Sequence, residues 1–247
     1  MVDFHYRGSG DALLLIHGLG SSAAVWSNQR DAFGQDYRFI TVELPGHGNN
    51  TKAAHAVSIQ HTASAISEEI REQRLSRISL VGHSMGGLMA IAAAKENHQS
   101  VDRLILMDVP TKQTGIALLN WLFLKTLKKN FQTVVGEQFK KMTDDKLLRE
   151  TLLETALTTD RNAYYHYMKS LLETDLSSDI KTLDIPIYLF VSSSLVNDRA
   201  KLPKALQKYG YAEIPDDRLS YYPQTGHFLM LERADDVNRD LRAILAQ

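Results

Sequence analysis

The sequence predicts an α/β protein: a mostly parallel central sheet flanked by helices, with a helical cap inserted between two of the strands. Three observations carry this expectation. Short runs rich in Leu, Ile and Val alternate with segments of helical periodicity, the pattern of strand–helix–strand units. Residues 110–180 break that alternation, because they hold no strand-like run and their apolar residues recur at helical spacing. The length of 247 residues suits one such domain with an insertion.

Taken in order, residues 12–16 form a compact apolar strand that ends in the turn His17-Gly18-Leu19-Gly20-Ser21-Ser22. Residues 38–44 form a second strand, closed by Pro45-Gly46-His47-Gly48, and residues 59–73 read as a helix. A third strand at 77–81 stops at Gly82, and the alanine-rich segment 85–96 follows as a helix. Residues 103–107 and 187–191 are further buried strands, 219–222 is a short last one, and 234–245 is a closing amphipathic helix.

In the inserted segment, Ile116, Leu119, Phe123 and Leu127 form one stripe; Phe131, Val134, Val135, Phe139 and Met142 form another. Tyr164, Tyr167, Met168, Leu171 and Leu172 form a third, with Asp160 as its N-cap. The expected division is a core of residues 1–109 and 181–247 and a cap of residues 110–180, lying as a lid over the carboxyl edge of the sheet. Trp121, Phe123, Tyr164, Tyr167 and Met168 are its candidate cavity-lining residues.

Composition narrows the function. A formal net charge of −1 gives no overall electrostatic footprint for nucleic acid or an anionic membrane, so small-molecule partners are expected. The absence of cysteine removes disulfides, thiolate nucleophiles and cysteine-ligated metals. Neither a signal peptide nor an apolar run approaching the roughly 20 residues of a membrane span is visible, so a cytoplasmic protein is expected. It would be a monomer, or a homodimer formed through the apolar cap.

The chemistry is concentrated at Gly82-His83-Ser84-Met85-Gly86, a G-x-S-x-G pattern between a strand and a helix. A nucleophile on so sharp a turn needs strained backbone angles and small neighbours two residues to either side. A serine hydroxyl also needs a base. His5, His55, His61 and His98 lie in surface-like stretches, His17, His47 and His83 adjoin glycine turns, and His166 lies in the insertion. His227, between the last strand and the last helix, is the candidate base. For the acid that orients it, Asp198, after the strand at 187–191, is favoured, with Asp108, at the end of the strand at 103–107, as the alternative. The backbone N–H groups of Leu19 and Met85 are the candidate oxyanion donors. Trp26 packs beneath the first glycine turn or lines an acyl pocket. Gly18-x-Gly20-x-x-Ala23, with Glu43 ending the next strand, also fits a dinucleotide-binding pattern, but an NAD- or FAD-dependent oxidoreductase would leave Ser84 and His227 unexplained. A ligand-binding module without catalysis is a further alternative.

The order H-G-L-G-S-S, E-L-P-G-H-G, G-H-S-M-G-G and T-G-H resembles the α/β-hydrolase superfamily, nearest its small bacterial carboxylesterase and thioesterase-like members. The resemblance spans essentially the whole chain. It implies nucleophile Ser84, oxyanion donors Leu19 and Met85, base His227, and no metal or organic cofactor. The expected activity is hydrolysis of small to medium hydrophobic carboxylic esters through an acyl-enzyme, with thioester or carbon–carbon hydrolysis as alternatives. A serine nucleophile in place of aspartate argues against the haloalkane dehalogenase and epoxide hydrolase branches. Two departures from the family pattern stand out. Glu43 replaces the usual aspartate, and Ser192-Ser193-Ser194 with a longer loop precedes Asp198 where the family usually shows Gly-x-x-Asp.

Overall fold

The computed structural model describes residues 1–50, 57–113 and 115–247. His55 lies outside them. The described residues build a sheet in the order β1-β3-β2-β4-β5-β6-β7. Its strands are β1 (Asp3–Arg7), β2 (Ala12–Ile16), β3 (Arg38–Glu43), β4 (Ile78–His83), β5 (Val101–Met107), β6 (Ile187–Ser192) and β7 (Leu219–Tyr222). β1 runs antiparallel to β3, and every other pairing is parallel.

Strand alternation sorts the core into two layers. Leu14, Ile16, Ile40, Val42, Leu80, Leu104 and Leu106 face α2 (Ile59–Glu72) and α3 (Met85–Glu96). Leu13, Leu15, Phe39, Val81, Ile105 and Met107 face the opposite layer. That layer holds α1 (Ser27–Phe33), α9 (Leu229–Glu232) and α10 (Ala234–Leu245). β2, β3, β4, β6 and the second half of β5 are buried on both faces, which is why they read as continuous apolar runs.

Between β5 and β6 the described residues form four α-helices: α4 (Ala117–Lys129), α5 (Phe131–Phe139), α6 (Lys146–Thr158) and α7 (Arg161–Glu173). Asp145 and Asp160 cap α6 and α7, accepting from the Leu148 N–H at 3.0 Å and the Ala163 N–H at 2.8 Å. The inserted helices are tied to the sheet edge through α7. The Asp160 N–H donates to the Gly46 carbonyl at 2.8 Å, and Tyr167 shares a hydrogen bond with Thr62 of α2. After β6 a short α8 (Leu202–Lys208) precedes β7.

Strand order reverses around β2, whose neighbours are β3 on one side and β4 on the other. The loops leaving β2 and β4 therefore diverge at the carboxyl edge and leave a crevice between them. At that crevice the helix after β4 meets the end of β2 at the limit of contact. A Cβ added at Gly86 would lie 2.4 Å from the carbonyl oxygens of both Ile16 and His17, and one added at Gly82 would lie 2.4 Å from the Gly87 Cα.

Gly86→Ala should therefore destabilise the fold by about 2 kcal/mol or more, because backbone rather than a movable side chain must yield. Gly136→Ala in α5, where an added Cβ meets nothing within 4 Å, should instead stabilise by roughly 0.5–1 kcal/mol. Urea unfolding of the two variants checks the pair, and equal effects would contradict the packing described.

Candidate active site

Ser84 joins β4 to α3 with φ 51° and ψ −122°, a conformation that non-glycine residues occupy at a cost of order 1–3 kcal/mol. Two hydrogen bonds fix the turn: Ser84 N–H to the Met107 carbonyl and Gly87 N–H to the Ser84 carbonyl, both 3.0 Å. Met85 opens α3, so its N–H is one of those without a partner inside the helix. In the β2 loop the Gly20 N–H is taken by His47 Nε2 at 3.1 Å and the Ser21 N–H by the Gly18 carbonyl at 3.3 Å. The Leu19 N–H has no protein acceptor among the described residues.

His227 sits on the loop after β7, and several anchors hold that loop. Its own N–H donates to the Met142 carbonyl at 2.6 Å, and the Gly226 N–H donates to Glu232 at 3.0 Å. His227 Nδ1 lies 3.2 Å from Asp108 Oδ2. Asp108 is fully buried at the end of β5 and has φ 51°. Its Oδ1 accepts from the Ser192 N–H at 2.7 Å, and its Oδ2 also accepts from the Ser192 hydroxyl. A carboxylate facing Nδ1 favours the tautomer with the proton there and leaves Nε2 with its lone pair.

This pairing corrects the preference for Asp198. That residue caps a short turn, accepting from the Ala200 N–H at 2.9 Å, and is exposed. The neighbouring strand ends explain the difference, since β6 presents Ser192 where it can hold the carboxylate delivered by β5.

Ser84, His227, Leu19 and Gly18 line one cavity of ≈ 340 Å³. Its remaining walls are largely apolar, from Phe123, Phe139, Met142, Tyr164, Met168, Leu171, Leu172 and Phe228, with the imidazole of His83 and the amides of Gln113, Asn120 and Gln138. No Lys, Arg, Asp or Glu is among the described lining residues. Phe123, Tyr164 and Met168 thus reach the cavity, whereas three other candidates do not. Trp26 is fully buried in the core between sheet and helices. Tyr167 is buried against Thr62 and the His47 ring, because its position on α7 faces the core rather than the cavity. Trp121 lies on the outer side of α4 and is half exposed. Ser192 and the three amides were missed by sequence reasoning. The serine run at 192–194 was the available signal for the first; nothing in the helical stripes marks polar residues that turn inward.

The histidines beside the glycine turns are buried supports. His83 is held well below the usual histidine range, first by burial and then by the neighbouring His227, so it stays neutral. Its Nε2–H donates to the His227 carbonyl at 2.9 Å, and its ring lies 4.6 Å from that of His227, centroid to centroid. His47 is pushed down to about 3, mainly by burial and then by His17. Glu43 is buried too: its carboxylate accepts from the Ala23 N–H at 3.0 Å and lies 3.2 Å from His17 Nε2. A side chain so engaged inside the protein is not placed to meet a ribose, and a 3-10 turn rather than an α-helix follows the glycines. The dinucleotide reading does not fit these residues.

A model of the Alpha/beta hydrolase family matches residues 13–240, and the chain belongs to that family. It is 26% identical to a 2-hydroxy-6-oxononadienedioate/2-hydroxy-6-oxononatrienedioate hydrolase of Cupriavidus pinatubonensis over 93% of this chain and 84% of that protein. Identity is also 26% to a pimeloyl-[acyl-carrier protein] methyl ester esterase of Vibrio atlanticus, over 74% and 76% of the two chains. A stretch 36% identical to a Mycobacterium tuberculosis protein covers 42% of this chain and 31% of that longer one. Among solved structures, a thermophilic esterase from Thermogutta terrifontis superposes with a TM-score of 0.85 over 99% of this chain and 93% of that one, at 19% identity, a likeness of fold.

The strain at Ser84 is testable apart from any chemistry. Ser84→Gly should be more stable than Ser84→Ala by about 1 kcal/mol, because glycine adopts the turn without steric cost. Chemical denaturation of both variants measures this, and a glycine variant no more stable than the alanine one would show an unstrained turn.

Proposed function

We propose that the protein is a serine hydrolase that cleaves carboxylic esters of small to medium hydrophobic substrates through an acyl-enzyme. The observation that carries this reading is the shared cavity: Ser84 on its strained turn and His227, tied to buried Asp108, face one apolar, uncharged space.

In this mechanism His227 Nε2 takes the Ser84 hydroxyl proton as Oγ attacks the ester carbonyl. The resulting oxyanion is received by the N–H groups of Leu19 and Met85, each worth roughly 3 kcal/mol in the transition state. The carbon–oxygen bond to the alcohol breaks, and His227 returns the proton to the departing alkoxide. Water then attacks the acyl-enzyme, giving its proton to His227, and Ser84 recovers a proton as the carboxylic acid leaves. Asp108 keeps the imidazole oriented and stabilises its charged form. Ser192 holds Asp108 in turn.

The name of the Cupriavidus relative raises carbon–carbon hydrolysis as a second reading. A dioate brings two carboxylates, and burying them calls for cationic partners. The described cavity walls offer none, which favours a neutral ester. Thioesters with an apolar acyl group share this fit.

Asp108→Asn should lower kcat for a nitrophenyl ester by about 10⁴-fold, whereas Asp198→Asn should leave it within about twofold. Steady-state kinetics on both variants checks the assignment, and the reverse ranking would overturn it. With wild-type protein, a series of nitrophenyl esters of increasing acyl length run beside acyl-CoA thioesters tests the substrate class. The expected result is a higher kcat/KM on the esters; activity confined to thioesters would refute the ester reading.

A further inference from the structure

The outer face of α4 is apolar where it meets solvent. Of the nine large hydrophobic side chains exposed among the described residues, five cluster here: Ile116, Leu118, Leu119, Trp121 and Leu122, between 46% and 66% exposed. Scattered exposed leucines need no explanation, but a contiguous patch does. The second half of the helix is cationic, with Lys125, Lys128 and Lys129 exposed and no Asp or Glu anywhere in Ala117–Lys129. Lys125 Nζ stands 3.7 Å over the Trp121 ring. Glu173, the carboxylate beside this face, is paired with Lys169 at 3.9 Å.

We propose that α4 is an interfacial helix through which the protein docks on an anionic lipid bilayer. Its apolar first half would sit at the headgroup–acyl boundary, with the indole of Trp121 at headgroup level and the lysines on lipid phosphates. The near-neutral total charge conceals this patch because it averages over the whole chain. The helix lies on the surface rather than crossing it: among the described residues no helix is long and apolar enough to span a membrane. A second copy of the chain is the poorer occupant. In a two-fold pairing the lysines of one α4 would meet the apolar half or the lysines of the other, with no carboxylate on either helix to receive them. The opposite face of α4 carries Asn120 and Phe123 into the active-site cavity, so docking sets that cavity close to the lipid surface. The docking itself is independent of the catalytic reading and is measured without substrate.

The test uses the full chain and two vesicle preparations, phosphatidylcholine alone and phosphatidylcholine mixed with phosphatidylglycerol, at low salt. Of the two tryptophans Trp26 is fully buried, so a change in emission reports Trp121. The expected result is co-sedimentation and a blue shift with the anionic vesicles, weakened by added salt. Lys125→Ala/Lys128→Ala/Lys129→Ala should cut partitioning on the order of 100-fold, from about fivefold per lysine. Leu118→Ser/Leu119→Ser should also reduce it, with unchanged thermal unfolding because both side chains are exposed. Failure of the wild type to bind anionic vesicles would overturn the proposal. So would binding that neither variant weakens, or a concentration-dependent dimer abolished by the leucine variant in a protein that ignores vesicles.

Discussion

The structure of this site depends on one steric constraint: the start of the helix after β4 lies so close to the end of β4 on one side and to the end of β2 on the other that only glycine fits at positions 82 and 86. That approach lets the chain turn from strand to helix within a single residue, and it places the left-handed conformation on Ser84. Elsewhere a serine would relax such a conformation. Here its bonds with the Met107 carbonyl and the Gly87 N–H hold it, and the contact of Gly86 with the end of β2 fixes the helix that follows. The hydroxyl is thereby presented at the strand-order reversal, and the first N–H of α3 stands beside it with the positive end of the helix dipole.

Buried polar groups extend the same rigidity outward. His47 and Glu43 hold the Gly20 and Ala23 N–H groups, which fixes the loop carrying Leu19. His83 grips the carbonyl of His227 from below, and Ser192 holds both oxygens of Asp108. Each of these groups costs free energy to bury and recovers it only through its partner. The three loops that meet at the cavity are thus set by contacts inside the protein before any substrate arrives.

Much of this was legible in the sequence, and the parts that were not have physical reasons. The parallel strands were readable because burial on both faces makes them uniformly apolar, and the strand–glycine–serine–glycine–helix succession marked the turn. β1 left no such trace: as an edge strand it alternates Asp3, His5 and Arg7 with two aromatics. α1 buries only Gln29 and Phe33, too little for a periodic signal over seven residues. Asp108 and Asp198 both follow a strand end, and the choice between them turns on a backbone angle at Asp108 that aspartate tolerates and the sequence does not announce. In the second and third stripes of the inserted segment Phe131, Val135, Phe139, Tyr164, Tyr167 and Met168 are buried as expected, whereas Ile116 and Leu119 of the first stripe are exposed, because helical spacing marks an apolar face without saying what, if anything, covers it. Tyr164 and Tyr167 lie in the same stripe, yet the first turns to the cavity and the second to His47.

The central claim is that Ser84 is a nucleophile activated through His227. Treatment with a fluorophosphonate followed by peptide mass spectrometry tests it most directly, because the reagent records which hydroxyl is activated without assuming a substrate. The account predicts a single stoichiometric adduct on the peptide containing Ser84, and its loss when His227 is replaced by Ala. An unmodified protein, or an adduct carried by a different serine, would contradict it.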